Sequence, residues 1–151
     1  MFDFLKDKID VIVGIIFSLM SCCTDGQDQW TQFGSNSDLK LDFYLQVESD
    51  EDSAFADVKI LYNFSEFTYG MDTKHKSEIE KARIDCEQKK FFLRDVNWYF
   101  NDMGKGKIVF NIFNLEWMDI EDDTVMHRVA KISCHNYLTK KDAALHIKDN
   151  I

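Results

Sequence analysis

The 151-residue sequence contains no proline, which excludes proline-rich linkers. It also contains no HExxH motif, no GxSxG motif, no phosphate-binding loop and no dinucleotide fingerprint. No pair among the four histidines has the spacing of a metal site; they are His75, His127, His135 and His146. These absences predict that the protein is not an enzyme and that it binds no metal and no cofactor.

Basic charge is scarce as well. Eighteen lysines and arginines stand against 27 aspartates and glutamates, which gives a formal net charge of −9. Phosphate recognition requires a clustered basic surface, whereas Lys89, Lys90, Lys105 and Lys107 lie near predicted turns beside acids. The sequence therefore argues against a nucleic-acid partner. Its 45% hydrophobic content predicts an ordered domain with a substantial core.

The N-terminal region holds one uncharged run, residues 11–20. A membrane-spanning helix needs roughly 20 apolar residues, so this run matches the hydrophobic part of a secretory signal instead. The following sequence, Leu19-Met20-Ser21-Cys22, resembles a bacterial lipobox, in which the cysteine is lipidated after cleavage. We therefore predict an export segment over residues 1–22, lipidation at Cys22, and a short linker over residues 23–29. Cleavage without lipidation and an amphipathic core helix are the alternatives.

Only two cysteines are left when Cys22 and its neighbour Cys23 are set aside. They are Cys86 and Cys134. An oxidising periplasm would allow the two to bond, and closing the loop between them would stabilise the fold by about 4 kcal/mol. The alternative is a pair of buried thiols, and the residues alone do not decide between these states.

Alternating hydrophobic residues predict strands through the middle of the chain. In residues 39–48 all five apolar side chains share one face, which is typical of a half-buried strand. Further strands are predicted at residues 30–33, around residues 58–64, and as a three-stranded meander over residues 76–110. Residues 34–38 are predicted to form a turn, and residues 68–77 a polar connection. The predicted core positions of the later strands are Val58, Ile60, Tyr62, Phe64, Ala82, Ile84, Cys86, Phe92, Val96, Trp98, Phe100, Ile108, Phe110 and Ile112.

After Trp117 the hydrophobic spacing changes. Val125, Val129 and Ile132 are spaced for one face of a helix that ends near Cys134, and acids crowd its start. Together with the strands, this predicts an α+β fold: an antiparallel β-sheet of about six strands packed with a C-terminal helix. We assign it to a single domain over residues 30–151, in which the tail beyond residue 137 adds at most a short helix.

Four aromatic side chains lie at strand ends or on the opposite face from the predicted core; they are Phe91, Tyr99, Phe113 and Trp117. If several were exposed together, they would form a surface for a partner, because aromatic residues are common interface anchors. The alternative interpretation is that the helix covers them.

The order of several short motifs resembles the surface-adhesin protein E family of Gram-negative bacteria. These motifs are Trp30, Asp85-Cys86, the aromatic-rich strand over residues 91–99, Met103-Gly104-Lys105-Gly106, Trp117, and a helix that ends at Cys134. The resemblance covers residues 30–134. It implies an antiparallel sheet whose C-terminal helix is tied down by a disulfide between Cys86 and Cys134. It also implies an outer-membrane lipoprotein that adheres to host extracellular-matrix and serum proteins.

The sequence and the resemblance together predict a non-catalytic, exported binding module of the bacterial cell envelope, in the outer membrane or the periplasm. Its expected partner is a protein: a host extracellular-matrix or serum protein, or a bacterial effector. The membrane is expected to be reached only through the N-terminal lipid anchor. The alternative is a periplasmic immunity or inhibitor protein that neutralises a toxin or a lysozyme-like enzyme, because an acidic surface steers association with a basic enzyme. The sequence identifies no ligand-binding residue.

Overall fold

The computed structural model describes residues 29–48, 53–113 and 116–148. The predicted export segment over residues 1–22, including Cys22, and all of the predicted linker except Gln29 lie outside these ranges. Within them the chain forms β1 (Thr31–Asn36), β2 (Leu41–Val47), β3 (Phe55–Gly70), β4 (Thr73–Asp85), β5 (Lys90–Tyr99), β6 (Ile108–Phe113), β7 (Trp117–Asp119), α1 (Val125–Ser133) and α2 (His135–Lys148). Neither of these two helices has the length and the apolar character needed to cross a membrane.

The strands form one antiparallel sheet in the order β1-β2-β3-β4-β5-β6, so each strand lies beside its neighbour in sequence. β7 also pairs with β5, at Lys90–Phe92, while β6 pairs with the second half of the same strand. The prediction of an antiparallel sheet with a C-terminal helix is confirmed, including the meander of β4, β5 and β6. The tail that was expected to add at most a short helix forms the 14-residue α2.

The core lies between α1 and one end of the sheet. Met126 and Val129 of α1 are buried and belong to the same cluster as Ile60 of β3 and Ile84 of β4. Thr124 caps the helix, since its side-chain oxygen accepts the backbone N–H of His127.

The prediction that Ile132 faces the core is wrong, because its side chain is 49% exposed. The stripe that packs against the sheet runs at four-residue steps through Met126, Ala130 and Cys134. Ile132 therefore lies to one side of the contact.

A β-bulge at Arg94 changes which side chains of β5 face the core. Lys81 pairs with Asp95 and the next residue of β4 pairs with Leu93, so Arg94 is an extra residue in β5. The prediction that Phe92 shares a face with Val96 is therefore wrong; Leu93 takes the core position.

Arg94 does not pair with β4, and its side chain reaches Asp57 on the face of the sheet opposite the core. Its guanidinium lies 3.1 Å from the Asp57 carboxylate, which also accepts two hydrogen bonds from Arg83. The hydrogen bonds from Arg83 lower the pKa of Asp57, and the charge of Arg94 adds to the effect. This face carries paired charges and is solvated, whereas the opposite face holds the core.

Two strand boundaries differ from the predictions. β1 continues through Gly34 to Asn36 before its turn, because Gly34 still pairs with Phe43. The polar connection predicted over residues 68–77 is instead the tip of a β-hairpin, in which β3 extends to Gly70 and β4 begins at Thr73. Polar residues remain in this hairpin because they have partners there: buried Ser77, for example, donates to the backbone oxygen of Asn101 at 2.6 Å.

The loop between β5 and β6 is fixed to the sheet through the Met103-Gly104-Lys105-Gly106 motif. The backbone N–H of Met103 donates to Asn63 Oδ1 at 2.7 Å, and that of Gly104 donates to Ser77 Oγ at 2.9 Å. Gly104 has φ of +68°, and a Cβ there would lie 2.4 Å from Ile79 Cδ1. The backbone conformation therefore favours glycine at this position, and a larger residue would also displace the end of the Ile79 side chain.

The Asp85-Cys86 motif closes the other end of β4. The Asp85 carboxylate accepts the backbone N–H groups of Glu87 and Gln88, which holds the β4–β5 turn. Cys86 is joined to Cys134 by a disulfide with a Cα–Cα distance of 5.6 Å. The bond links the end of β4 to the junction of the two helices.

Candidate protein-binding surface

The β3–β4 hairpin extends beyond the strands on both sides of it. Pairing of β3 with β2 ends at Phe64, and pairing of β4 with β5 ends at Ser77. Residues 65–76, which we call the hairpin arm, are paired mainly with each other. Among the described strands, the outer edge of β3 beyond Ser65 has no neighbour, so this segment is more exposed than the rest of the sheet.

The arm is bent where it leaves the sheet. Asn63 pairs with Ser77, and the next pair is Thr68 with His75. β3 advances five residues between these pairs and β4 only two, so three extra residues are accommodated in β3. Bulges of this kind bend a strand and increase its local twist, and they are enriched near functional sites.

An aromatic cluster braces the arm against the sheet. The ring of His75 stacks on Trp98 with centroids 4.4 Å apart, and Phe64 packs edge-on against His75. Trp98 also packs on Phe110, at 4.4 Å. A Cβ at Gly70 would lie 2.5 Å from the Trp98 ring, so any larger residue would displace the brace. These contacts hold His75 and Gly70 of the arm against the sheet.

His75 is only 1% exposed and has an acceptor on each side. Its Nδ1 lies 3.1 Å from the backbone oxygen of Thr73, and its Nε2 lies 2.6 Å from a carboxylate oxygen of Glu78. The Thr73 carbonyl can only accept, so Nδ1 donates to it, and Nε2 lies against the Glu78 carboxylate. These bonds fix the histidine as part of the brace. In the described ranges, no group of three or more His, Cys, Asp and Glu side chains is placed to hold a metal ion.

An acid with an unusual environment lies between the arm and α1. The Tyr62 hydroxyl donates to Glu80 Oε2 at 3.0 Å. Burial raises the pKa of Glu80 to about 7; the negative charge of Glu78 adds to this shift, and the bond from Tyr62 opposes it. Burial also raises the pKa of Tyr62, and the nearby charge of Glu80 strengthens that effect. Glu80 therefore takes up a proton near neutral pH.

The outer side of the arm exposes Phe67, Tyr69 and Met71, and together with Phe100, which follows β5 and packs against Phe67, we call these residues the aromatic tip. Tyr69 is 69% exposed and Met71 is 73% exposed. The rings of Phe67 and Phe100 lie 5.2 Å apart, and the Lys74 ammonium lies 4.1 Å from the centre of the Phe67 ring. A cation over an aromatic face orders both side chains. The aromatic tip is therefore an exposed apolar surface, in which Phe67 contacts Phe100 and carries a positive charge at its edge.

The turn at the end of the arm has a strained backbone. Met71 has φ of +47° and Asp72 has φ of +59°. Two-residue hairpin turns with positive φ at both positions favour Asn-Gly, because residues with a Cβ are strained there. A methionine at such a position is destabilising for the turn.

A groove of about 340 Å³ lies beside the arm. Its lining includes Leu39 from the β1–β2 turn, and Phe64 and Phe67 from β3. The Lys40 ammonium and a Glu66 carboxylate oxygen, 2.5 Å apart, form an ion pair at this site. The groove and the aromatic tip together provide an apolar surface with charged groups at its margin, which is the usual composition of a protein contact.

The aromatic residues singled out in the sequence do not form one surface. Phe113 is 71% exposed and Trp117 is 47% exposed, whereas Phe91 packs against the core. Phe100, predicted to be buried, is 42% exposed because it follows the last residue of β5. Phe67, Tyr69 and Met71 are not among the residues predicted from the sequence to form a surface for a partner. The three residues alternate with smaller or polar ones, which could have indicated a strand with an exposed apolar face. Tyr69 and Met71, however, lie in the segment that was predicted to be a polar connection.

Sheet, helices and surface define the class of the protein: a disulfide-linked α+β domain with an exposed aromatic arm. The sequence profile of the family described as surface-adhesin protein E matches residues 30–135. The chain belongs to this family. A comparison with curated protein sequences found no match.

Solved structures of Haemophilus influenzae protein E share the fold. Crystal form II of that protein is 15% identical, with a TM-score of 0.53, covering 76% of this chain and 94% of its own. The structure from a non-typeable strain is also 15% identical, with a TM-score of 0.51 and coverages of 85% and 94%. At this level of identity the similarity shows a common fold.

Proposed function

We propose that the protein is an exported, non-catalytic binding module of the bacterial cell envelope, and that its aromatic tip contacts a host extracellular-matrix or serum protein. Membership of the surface-adhesin protein E family supports a role in adhesion. We infer the binding site from one observation: Tyr69 and Met71 are exposed on an arm that is braced by Trp98.

The physical chemistry of the aromatic tip suits protein contact. Aromatic and methionine side chains bury a large area with few rotatable bonds, and they are enriched in the centres of interfaces. Because the arm is braced by Trp98 and His75, binding requires little additional ordering of the backbone. Lys74 supplies a positive charge for acidic groups on the partner. The proposed interaction therefore combines apolar burial with a positive charge at the margin.

Replacing Tyr69 by alanine is expected to weaken binding to immobilised matrix or serum proteins by about tenfold or more. An interface anchor typically contributes about 2 kcal/mol or more, which exceeds the 1.4 kcal/mol that corresponds to tenfold. The measurement is the binding of bacteria that display the full chain, with equal surface amounts verified by antibody staining. Tyr69 is 69% exposed, so the substitution leaves the core intact.

Phe113→Ala is the matched control, because Phe113 is an equally exposed aromatic residue at the end of β6 far from the arm. Its binding should equal that of the unmodified chain. If Phe113→Ala loses binding while Tyr69→Ala keeps it, the contact surface lies at the β6 edge. If the chain instead captures a basic bacterial effector or a lysozyme-like enzyme and releases it at high salt, the inhibitor function replaces adhesion.

A lipid on Cys22 is the proposed attachment to the membrane, and the uncharged run over residues 11–20 followed by a lipobox-like sequence supports it. Bacteria grown with labelled palmitate should label the unmodified chain and the Cys23→Ala variant. The Cys22→Ala variant should carry no label, because the acceptor sulfur is gone. Label on Cys22→Ala, or none on the unmodified chain, contradicts the lipid anchor.

A further inference from the structure

A second concave site lies at the other end of β4 from the arm. Thr73 and Asp85 mark the two ends of this strand, so the sites are roughly 40 Å apart along it. The cavity has a volume of about 170 Å³, and a cavity of about 150 Å³ is large enough to hold benzene. Its apolar walls are Ile84, Ile120, Ala130, Leu138 and the Cys86–Cys134 disulfide.

Charged side chains also line this cavity, and they differ in whether they have partners. The Asp85 carboxylate accepts two backbone N–H groups of the β4–β5 turn, and Asp122 Oδ1 lies 3.2 Å from His127 Nδ1. Lys89 and Lys131, in contrast, form no salt bridge with a carboxylate of the described residues. The acid nearest to Lys89 in sequence, Glu87, already accepts from Lys141 and Tyr137. Two cations are thus available at an apolar cavity in a protein of net charge −9.

We propose that this cavity binds a small amphipathic monoanion, with its carboxylate between Lys89 and Lys131 and a short aliphatic or aromatic body against the disulfide. Ligand sites combine apolar walls with a few convergent polar groups, and ammonium–carboxylate hydrogen bonds are among the stronger ones. Two sources carry this chemistry: a free carboxylic acid, and the terminal carboxylate of a peptide that ends in an apolar residue.

Three probes of one size test the proposal on the full chain: hexanoate, hexanol and hexylammonium. Binding is followed by NMR shifts of the methyl groups of Ile84, Ile120 and Leu138. Hexanoate should produce saturable shifts and bind about tenfold more tightly than hexanol, with hexylammonium weakest. A short peptide ending in leucine, compared with its C-terminal amide, separates the sources. A free-terminus peptide that binds more tightly than hexanoate identifies a peptide ligand; weaker binding identifies a free acid.

Replacing Lys89 and Lys131 together by glutamine should abolish the preference for hexanoate over hexanol. Replacing Lys105 and Lys107, two exposed lysines of the β5–β6 loop, is the matched control and should preserve it. Absence of saturable shifts, equal binding of hexanol and hexanoate, or a preference that survives the Lys89/Lys131 replacement would each overturn the proposal. Tyr69→Ala should leave hexanoate binding unchanged, so this test and the adhesion test fail independently.

Discussion

Removal of the Cys86–Cys134 disulfide is expected to lower the free energy of unfolding by about 4 kcal/mol, because the bond closes a loop of 48 residues and restricts the unfolded chain. Net stabilities of domains are about 5–15 kcal/mol, so this is a large fraction of the total. The measurement is urea unfolding of the oxidised chain against the Cys86→Ala/Cys134→Ala variant. Hydrogen exchange should show α1 and α2 opening first, since the bond holds their junction to β4.

The unmodified chain, measured oxidised and reduced, is the control for side-chain volume. Cys86 and Cys134 are 6% and 2% exposed, so alanine at these positions also removes buried atoms. Reduction breaks the disulfide without removing buried atoms. It should therefore account for most of the loss in the free energy of unfolding. A reductant should have no effect on the double variant. If oxidised and reduced chains unfold at the same urea concentration, the disulfide does not stabilise the fold.

The sequence predicts the regular parts of the sheet because their information is local. In β2, Leu41 and Leu45 are buried as the alternation indicates, while Leu39 in the preceding turn and Val47 at the end of the strand are exposed. The turn at Gly104 and Gly106 has the positive φ that its glycines indicate. In these cases the side-chain pattern and the backbone preference agree, and no distant partner is needed to interpret them.

The predictions fail where a distant partner decides the local structure. The bulge at Arg94 depends on Asp57, which lies two strands away. His75 in the arm and Ser77 at its base read as part of a polar loop, because their partners Trp98, Glu78 and Asn101 are not evident from neighbouring residues. The aromatic tip was missed for the same reason, since its position depends on that brace. The family resemblance implied the disulfide between Cys86 and Cys134, which the structure contains, but it indicated nothing about the aromatic tip.

Replacing Glu80 by glutamine is expected to change how stability depends on pH. The folded-state pKa of Glu80, about 7, lies above its ordinary value of 4.5. Between these values the folded chain keeps a proton that the unfolded chain has released, so the free energy of unfolding falls as pH rises. The loss is complete above pH 7, and at 1.36 kcal/mol per pKa unit it amounts to at most about 3 kcal/mol. Glutamine still accepts from Tyr62 but carries no charge, so this component of the slope should disappear.

Above pH 7 the Glu80→Gln variant should therefore be more stable than the unmodified chain, and near pH 5 the two should be almost equal. Urea unfolding at a series of pH values measures the difference, and NMR titration of the Glu80 carboxyl carbon locates its pKa directly. Glu116→Gln, which neutralises an exposed acid, should leave the slope between pH 5 and pH 7 unchanged. Parallel pH profiles for Glu80→Gln and the unmodified chain would show that burial beside Tyr62 does not retain the proton. A difference confined to Glu80→Gln would show that the sheet face between α1 and the arm holds a carboxyl group that changes charge at neutral pH.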